Sequence, residues 1–139
     1  MNYLHAFAIS ASGMTVEKTR VDVTAVNLAN ANSTRSADGT TFRPLRLLSA
    51  ASTPQFAGLL EGALRGAEVR GLKELETAPR LAYEPGHPDA DDKGFVSYPG
   101  ISPVSEMMNL LTAVRIYEAN VAALGAAKAM AQRALDIGR

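Results

Sequence analysis

The residues of this sequence best equipped for chemistry lie in one run, Glu84-Pro85-Gly86-His87-Pro88-Asp89-Ala90-Asp91-Asp92-Lys93-Gly94. It gathers one of the two histidines, His5 and His87, with a cluster of carboxylates. Asp89, Asp91 and Gly94 match the opening of a calcium-binding EF-hand loop. The match then fails. Lys93 stands where a further oxygen ligand belongs, and Gly100 where the ion requires a bidentate Glu. A metal-binding module using the turn from His87 to Asp91 is the alternative reading. The reading adopted is a turn in which Pro and Gly shape the backbone and Asp side chains cap it, with no metal.

Other chemistry is poorly supplied. The chain has 139 residues and no Cys, which excludes disulfides, thiolate-bound metals and thiol catalysis. A phosphate-cradling Gly-rich loop, an HExxH helix and a nucleophile elbow are all absent from the sequence. Lys plus Arg is 14 and Asp plus Glu is 14, so no bulk positive charge draws the chain to nucleic acid or anionic membranes. Arg43 and Arg46 read as a solvated strand edge, with no interleaved aromatics for base stacking. The expectation is a protein that is not an enzyme, with no catalytic residues, cofactor, nucleic acid or small-molecule substrate. No apolar run approaches the ~18 residues of a membrane span. The N-terminus carries no Lys or Arg before Lys18 and does not read as a conventional signal peptide.

The elements that must position these residues follow from punctuation. All seven prolines lie between Pro44 and Pro103, and eight of the eleven glycines between Gly39 and Gly100. Long helices are therefore permitted at both ends and discouraged in the middle. At the N-terminal end Leu4, Phe7, Ala11, Met14, Lys18, Val21, Ala25 and Leu28 alternate spacings of three and four. At the C-terminal end Met107, Leu110, Val114, Tyr117, Val121, Leu124, Lys128, Ala131 and Leu135 do the same. That repeat keeps one stripe facing a partner helix, as in a coiled-coil seam. A second apolar stripe recurs every seven residues, at Ile9, Val16 and Val23 and at Ile116, Ala123, Met130 and Ile137. A helix that is apolar on two faces must bury both. One seam is expected to pair the two ends, leaving the second stripes for neighbouring molecules.

Length agrees. A compact domain of this size has a radius of gyration of about 14 Å, whereas a helix from Pro103 to Ile137 is roughly 50 Å long. Ser102 before Pro103 reads as an N-cap with Pro at the first helical position, and Glu106 adds negative charge early. Gly138 is a natural stop. Eight alanines between Ala119 and Ala134 favour helix and close approach. The first helix is intrinsically weaker: seven of the twelve residues from Thr15 to Val26 are β-branched, and Gly13 interrupts the stretch before them. Packing must supply most of its helicity. In the middle, Phe42–Ser49, Ala67–Leu75, Leu81–Tyr83 and Phe95–Tyr98 are strand candidates, and Pro54–Leu64 is a loop or short helix. The expected fold class is α+β: long N- and C-terminal helices, over 1–31 and 102–139, paired as an antiparallel-type coiled coil. A small β-rich middle domain fills 32–101.

The run Asn27-Leu28-Ala29-Asn30-Ala31-Asn32 with Ser33-Thr34-Arg35 resembles the N-terminal motif of the bacterial flagellar rod and hook protein family. The segment from Tyr83 to Val96 leads into Tyr98-Pro99 and then Pro103-Val104-Ser105-Glu106-Met107-Met108. It looks like the segment that proximal rod members of that family carry before their C-terminal helix. Tyr117-Glu118-Ala119-Asn120-Val121 and Ala127-Lys128-Ala129-Met130 also fit. The family-motif residues are Asn27, Asn30 and Asn32, which mark the wider rod and hook family, and Pro85, His87, Pro88, Asp89, Asp91 and Gly94, in the segment that narrows it to proximal rod members. Three features depart from the pattern: Ser36-Ala37-Asp38-Gly39 lacks a Pro, Leu45, Leu47 and Leu48 make the next strand more apolar, and Ser52–Arg65 has no counterpart. The resemblance implies a structural subunit of the flagellar basal-body rod, exported by the flagellar type III apparatus without a cleaved signal peptide. It further implies assembly in the periplasm with other rod proteins and copies of itself, as part of a hollow shaft that transmits torque. Another rod component of the same family is the neighbouring alternative.

Overall fold

The computed structural model describes residues 3–35, 39–52 and 65–137. Two long helices, α1 (Tyr3–Ala29) and α2 (Pro103–Ile137), bracket four short strands: β1 (Leu45–Ala51), β2 (Ala67–Glu74), β3 (Arg80–Tyr83) and β4 (Phe95–Tyr98). The fold is α+β. The candidate segment Pro54–Leu64, the turn Ser36–Asp38 and the stop at Gly138 lie outside the described residues.

Helix α2 begins where its cap dictates. The Ser105 amide donates to Ser102 Oγ at 3.4 Å, and Pro103 opens the first turn with a φ already suited to helix. Its 35 residues extend roughly 50 Å. Helix α1 runs unbroken through Gly13, a residue that by itself weakens a helix. The reason is a neighbour: a Cβ at residue 13 would sit 2.9 Å from Asn120 Oδ1 on α2, so glycine permits close approach of the helices. The end of α1 is closed by its own asparagine, whose Nδ2 (Asn30) donates to the Val26 carbonyl at 2.9 Å.

The helices pack antiparallel. Asn27 meets Glu106 and Gly13 meets Asn120, pairs that lie fourteen residues apart on both helices. The surfaces that meet are not the expected ones. The line of α1 that carries Gly13 and Asn27 also carries Ser10, Glu17, Arg20 and Thr24, and Ala31 continues it past the helix end; all are buried or half-buried and none is a large apolar residue. On α2 the enclosed line is Glu106, Leu110, Ala113, Asn120, Leu124, Ala127 and Ala131. Of the nine expected α2 seam positions, Leu110, Leu124 and Ala131 are retained, and at four others the preceding residue takes the place, namely Glu106, Ala113, Asn120 and Ala127. Met107, Tyr117, Val121 and Leu135 lie exposed, while Val114 is half-buried. On α1 the expected seam lies on the flank: Phe7, Met14, Val21 and Leu28 are half-buried and Leu4 is exposed. The second stripe divides. Val16 and Val23 are buried within the chain and Ile9 half-buried, so on α1 it is not left free for neighbours; Ile116, Met130 and Ile137 on α2 are exposed. The physical reason is that small and hydrogen-bonded polar residues make the closest helix contact, which an apolar count does not register.

Strands β1 and β2 form one antiparallel hairpin, with an irregularity between Leu48 and Ser49. It lies along α1, pinned at both ends. Asn27 donates to the Leu45 carbonyl and accepts from the Leu45 amide, each at 2.8 Å, and Ser12 Oγ accepts from the Ala67 amide at 3.0 Å. Strands β3 and β4 make a second two-stranded sheet, with Tyr83 and Phe95 paired across it edge to face at 5.3 Å. Val96 and Tyr98 of β4, and Pro99 and Ile101 just beyond it, are buried. Gly100 is obligatory there because a Cβ would collide with the Ala78 carbonyl.

Candidate assembly interface

The most enclosed polar cluster among the described residues joins three elements. Asn27 of α1 is fully buried and Glu106 of α2 is 3% exposed. Asn27 Nδ2 donates to Glu106 Oε2 at 3.0 Å while binding β1 as above. Arg46 of β1 forms an ion pair with Glu106 Oε1 at 2.8 Å, and Asn109 Nδ2 donates to the same oxygen at 3.3 Å. Burial alone would raise the Glu106 pKa. The hydrogen bonds from Arg46 and Asn27 and the Arg46 charge outweigh it, holding the carboxyl below its ordinary value. This corrects two expectations. Arg46 is not a solvated edge residue, and Glu106 does more than complement a helix dipole. Arg43 does lie at the surface, 3.7 Å from Glu74 across the hairpin. Nothing in the local sequence joins Arg46 to Glu106; the hairpin's path along α1 brings them together.

The run first considered for metal chemistry is consumed by its own backbone. Asp91 Oδ1 accepts from the Lys93 and Phe95 amides at 2.9 and 2.8 Å, and His87 Nδ1 accepts from the Asp89 amide at 3.0 Å. Gly94 turns the chain at φ +81° under Pro85 and the Tyr83 ring. Asp89 reaches outward instead: Thr34 Oγ1 donates to it at 2.7 Å, and Arg35 lies 3.6 Å away. The turn therefore ties the β3–β4 hairpin to the chain leaving α1, close to Asn30 and Asn32. Among the described residues, no group of three or more His, Cys, Asp or Glu is placed to hold a metal ion. An open cleft of about 430 Å³ separates β1 from α2, lined by Arg20, Thr24, Arg46 and Ile116 among others. Two of those cations already have carboxylate partners, Glu17 and Glu106. No helix of the described residues is long and apolar enough to cross a membrane.

What the surface offers is apolar area on α2. Val104, Met107, Met108, Leu111, Ile116, Val121, Met130, Leu135 and Ile137 are all exposed, the last two at 74% and 86%. In the observed register Tyr3 lies opposite the end of the Met130 turn, so the final two turns of α2 project beyond α1. A surface helix normally keeps one apolar stripe for its core and shows polar residues elsewhere. This one shows apolar residues around much of its girth.

Residues 92–137 match the family described as flagellar basal body rod FlgEFG protein C-terminal. Over 139 residues, covering all of both chains, the sequence is 36% identical to the flagellar basal-body rod protein FlgC of Escherichia coli O157:H7. It is 32% identical over 150 aligned positions to that of Bacillus subtilis, again with both chains fully covered. With the FlgC of Aquifex aeolicus it shares 38% identity over 98% of this chain and 97% of the other.

Proposed function

The chain belongs to the FlgC family of flagellar basal-body rod proteins and is a structural component of the flagellum; from that membership we propose that it polymerises through its terminal helices into the wall of a hollow, torque-transmitting shaft. The exposed apolar surface of α2 carries the proposal. Met107, Val121 and Leu135 from the seam, with Ile116, Met130 and Ile137 from the second stripe, remain between 43% and 86% exposed. Burying them against neighbouring rod proteins and further copies of the same chain supplies the drive for association. Many such contacts acting together resist twist better than one strong one.

Export by the flagellar type III apparatus without signal cleavage, and assembly in the periplasm, belong to the same proposal. So does the absence of catalysis, which the occupied polar groups described above support. The test is complementation. In cells lacking the native gene, a chain carrying Val121→Asp should be made and exported yet fail to enter basal bodies, leaving the cells non-motile. Normal swimming would remove the seam from the assembly.

A further inference from the structure

The apolar residues of these helices do not define how far one slides along the other. Moving α2 by one heptad along α1 brings Ala113 opposite Asn27 and Ala127 opposite Gly13, substitutions that small residues tolerate sterically. What such a slide cannot preserve is polar. It strips Glu106 of the Asn27 amide and leaves that amide against a methyl group, while the Arg46 arm, held on β1 by the hairpin, no longer reaches its carboxylate. Burial makes each loss costly, because neither Asn27 nor Glu106 has water to turn to.

We infer that Asn27, Glu106 and Arg46 form a register lock: a polar key, assembled from α1, α2 and β1, that selects one alignment of the two terminal helices. The close contact of Gly13 with Asn120, four turns away, is compatible with that alignment but would also admit alanine in the shifted one. The three residues are therefore positioning residues. They decide which outer residues of α2 face outward at a given height, and how many turns project beyond α1. The inference concerns pairing inside one chain and stands or falls independently of the rod reading.

The absence of cysteine allows a clean test. In the full-length chain, Ala6→Cys with Ala127→Cys reports the observed register, and Ala6→Cys with Ala134→Cys reports a slide of one heptad. Both pairs lie far from the polar key. After mild oxidation, the first pair should form an intramolecular disulfide about tenfold more efficiently than the second. In a background with both Asn27→Leu and Glu106→Leu, the chain should keep its helical circular dichroism, since the two facing buried side chains are replaced together and Arg46, whose side chain is 40% exposed, can turn to water. The two disulfides should then form within about threefold of each other. Glu106→Gln, which can still bond Asn27 and Arg46, should restore the preference. A double-leucine chain that keeps the wild-type preference would show that the cluster merely stabilises. Loss of helical signal in that chain, or equal crosslinking in the wild type, would equally overturn the lock.

Discussion

Glu106 shows how one residue's environment sets a measurable property. Its carboxyl titrates lower in the folded chain than in the unfolded one, so the ionised form favours folding. That contribution is complete above the unfolded value, about 4.3, and is lost as the pH falls through the lower folded value. The urea midpoint of the wild type should drop over that range, and the gap between it and Glu106→Gln should narrow as acid is added. Parallel curves would mean the carboxylate is not specifically stabilised. Glycines provide a second contrast at the same scale. Gly100→Ala drives a methyl group into the Ala78 carbonyl and should cost about 1–3 kcal/mol. Gly86→Ala meets nothing within 4 Å and should change unfolding free energy by less than about 0.5 kcal/mol. Chemical denaturation of the two variants checks both.

Among the elements, the β1–β2 hairpin depends most on others, because an isolated two-stranded sheet is marginal in water. Its two pins act at opposite ends. Ser12→Ala should leave the Ala67 amide without its partner, costing about 1 kcal/mol and speeding hydrogen exchange at that end only. Asn27→Ala removes both bonds to Leu45 and exposes Glu106 to a missing donor, so exchange should rise through β1 and the helix junction together. Uniform acceleration in both variants would mean the hairpin opens as one unit whatever its pins. Strand positions were legible from local composition: β2 and β4 fall within or on the expected ranges, and β1 begins three residues later than expected because Pro44 lies in the connection. That the strands form two separate hairpins rather than one small sheet was not legible. Nor was the close approach of Gly100 to the Ala78 carbonyl, a contact with no local signature.

For the molecule as a whole, exposure separates folding from assembly. Val121 is 46% exposed, so Val121→Asp should leave the monomer's circular dichroism intact while abolishing incorporation. Leu124 faces α1, and Leu124→Asp should damage both. Ile116→Ser combined with Met130→Ser alters residues 43% and 50% exposed; it should preserve helix pairing and weaken subunit contacts. Basal bodies purified from each strain, scored for the presence of the chain, provide the comparison. Wild-type incorporation of the double serine variant would make that outer stripe incidental.

Two ends nearly free of Pro and Gly dictated two long helices, and an Asn-rich segment together with the His-Pro-Asp-Ala-Asp turn carried the family, because those signals are local and short-range. The rotation of the helices about their axes was decided only by tertiary structure. Counting apolar residues places Val21 and Val121 on the interface, whereas Gly13, Asn27, Glu106 and Asn120 occupy it. A polar side chain looks like surface until its partners are known, and here the partners lie on three elements far apart in the chain. Their mutual satisfaction, rather than hydrophobicity, turns those faces inward and leaves so much apolar surface outside.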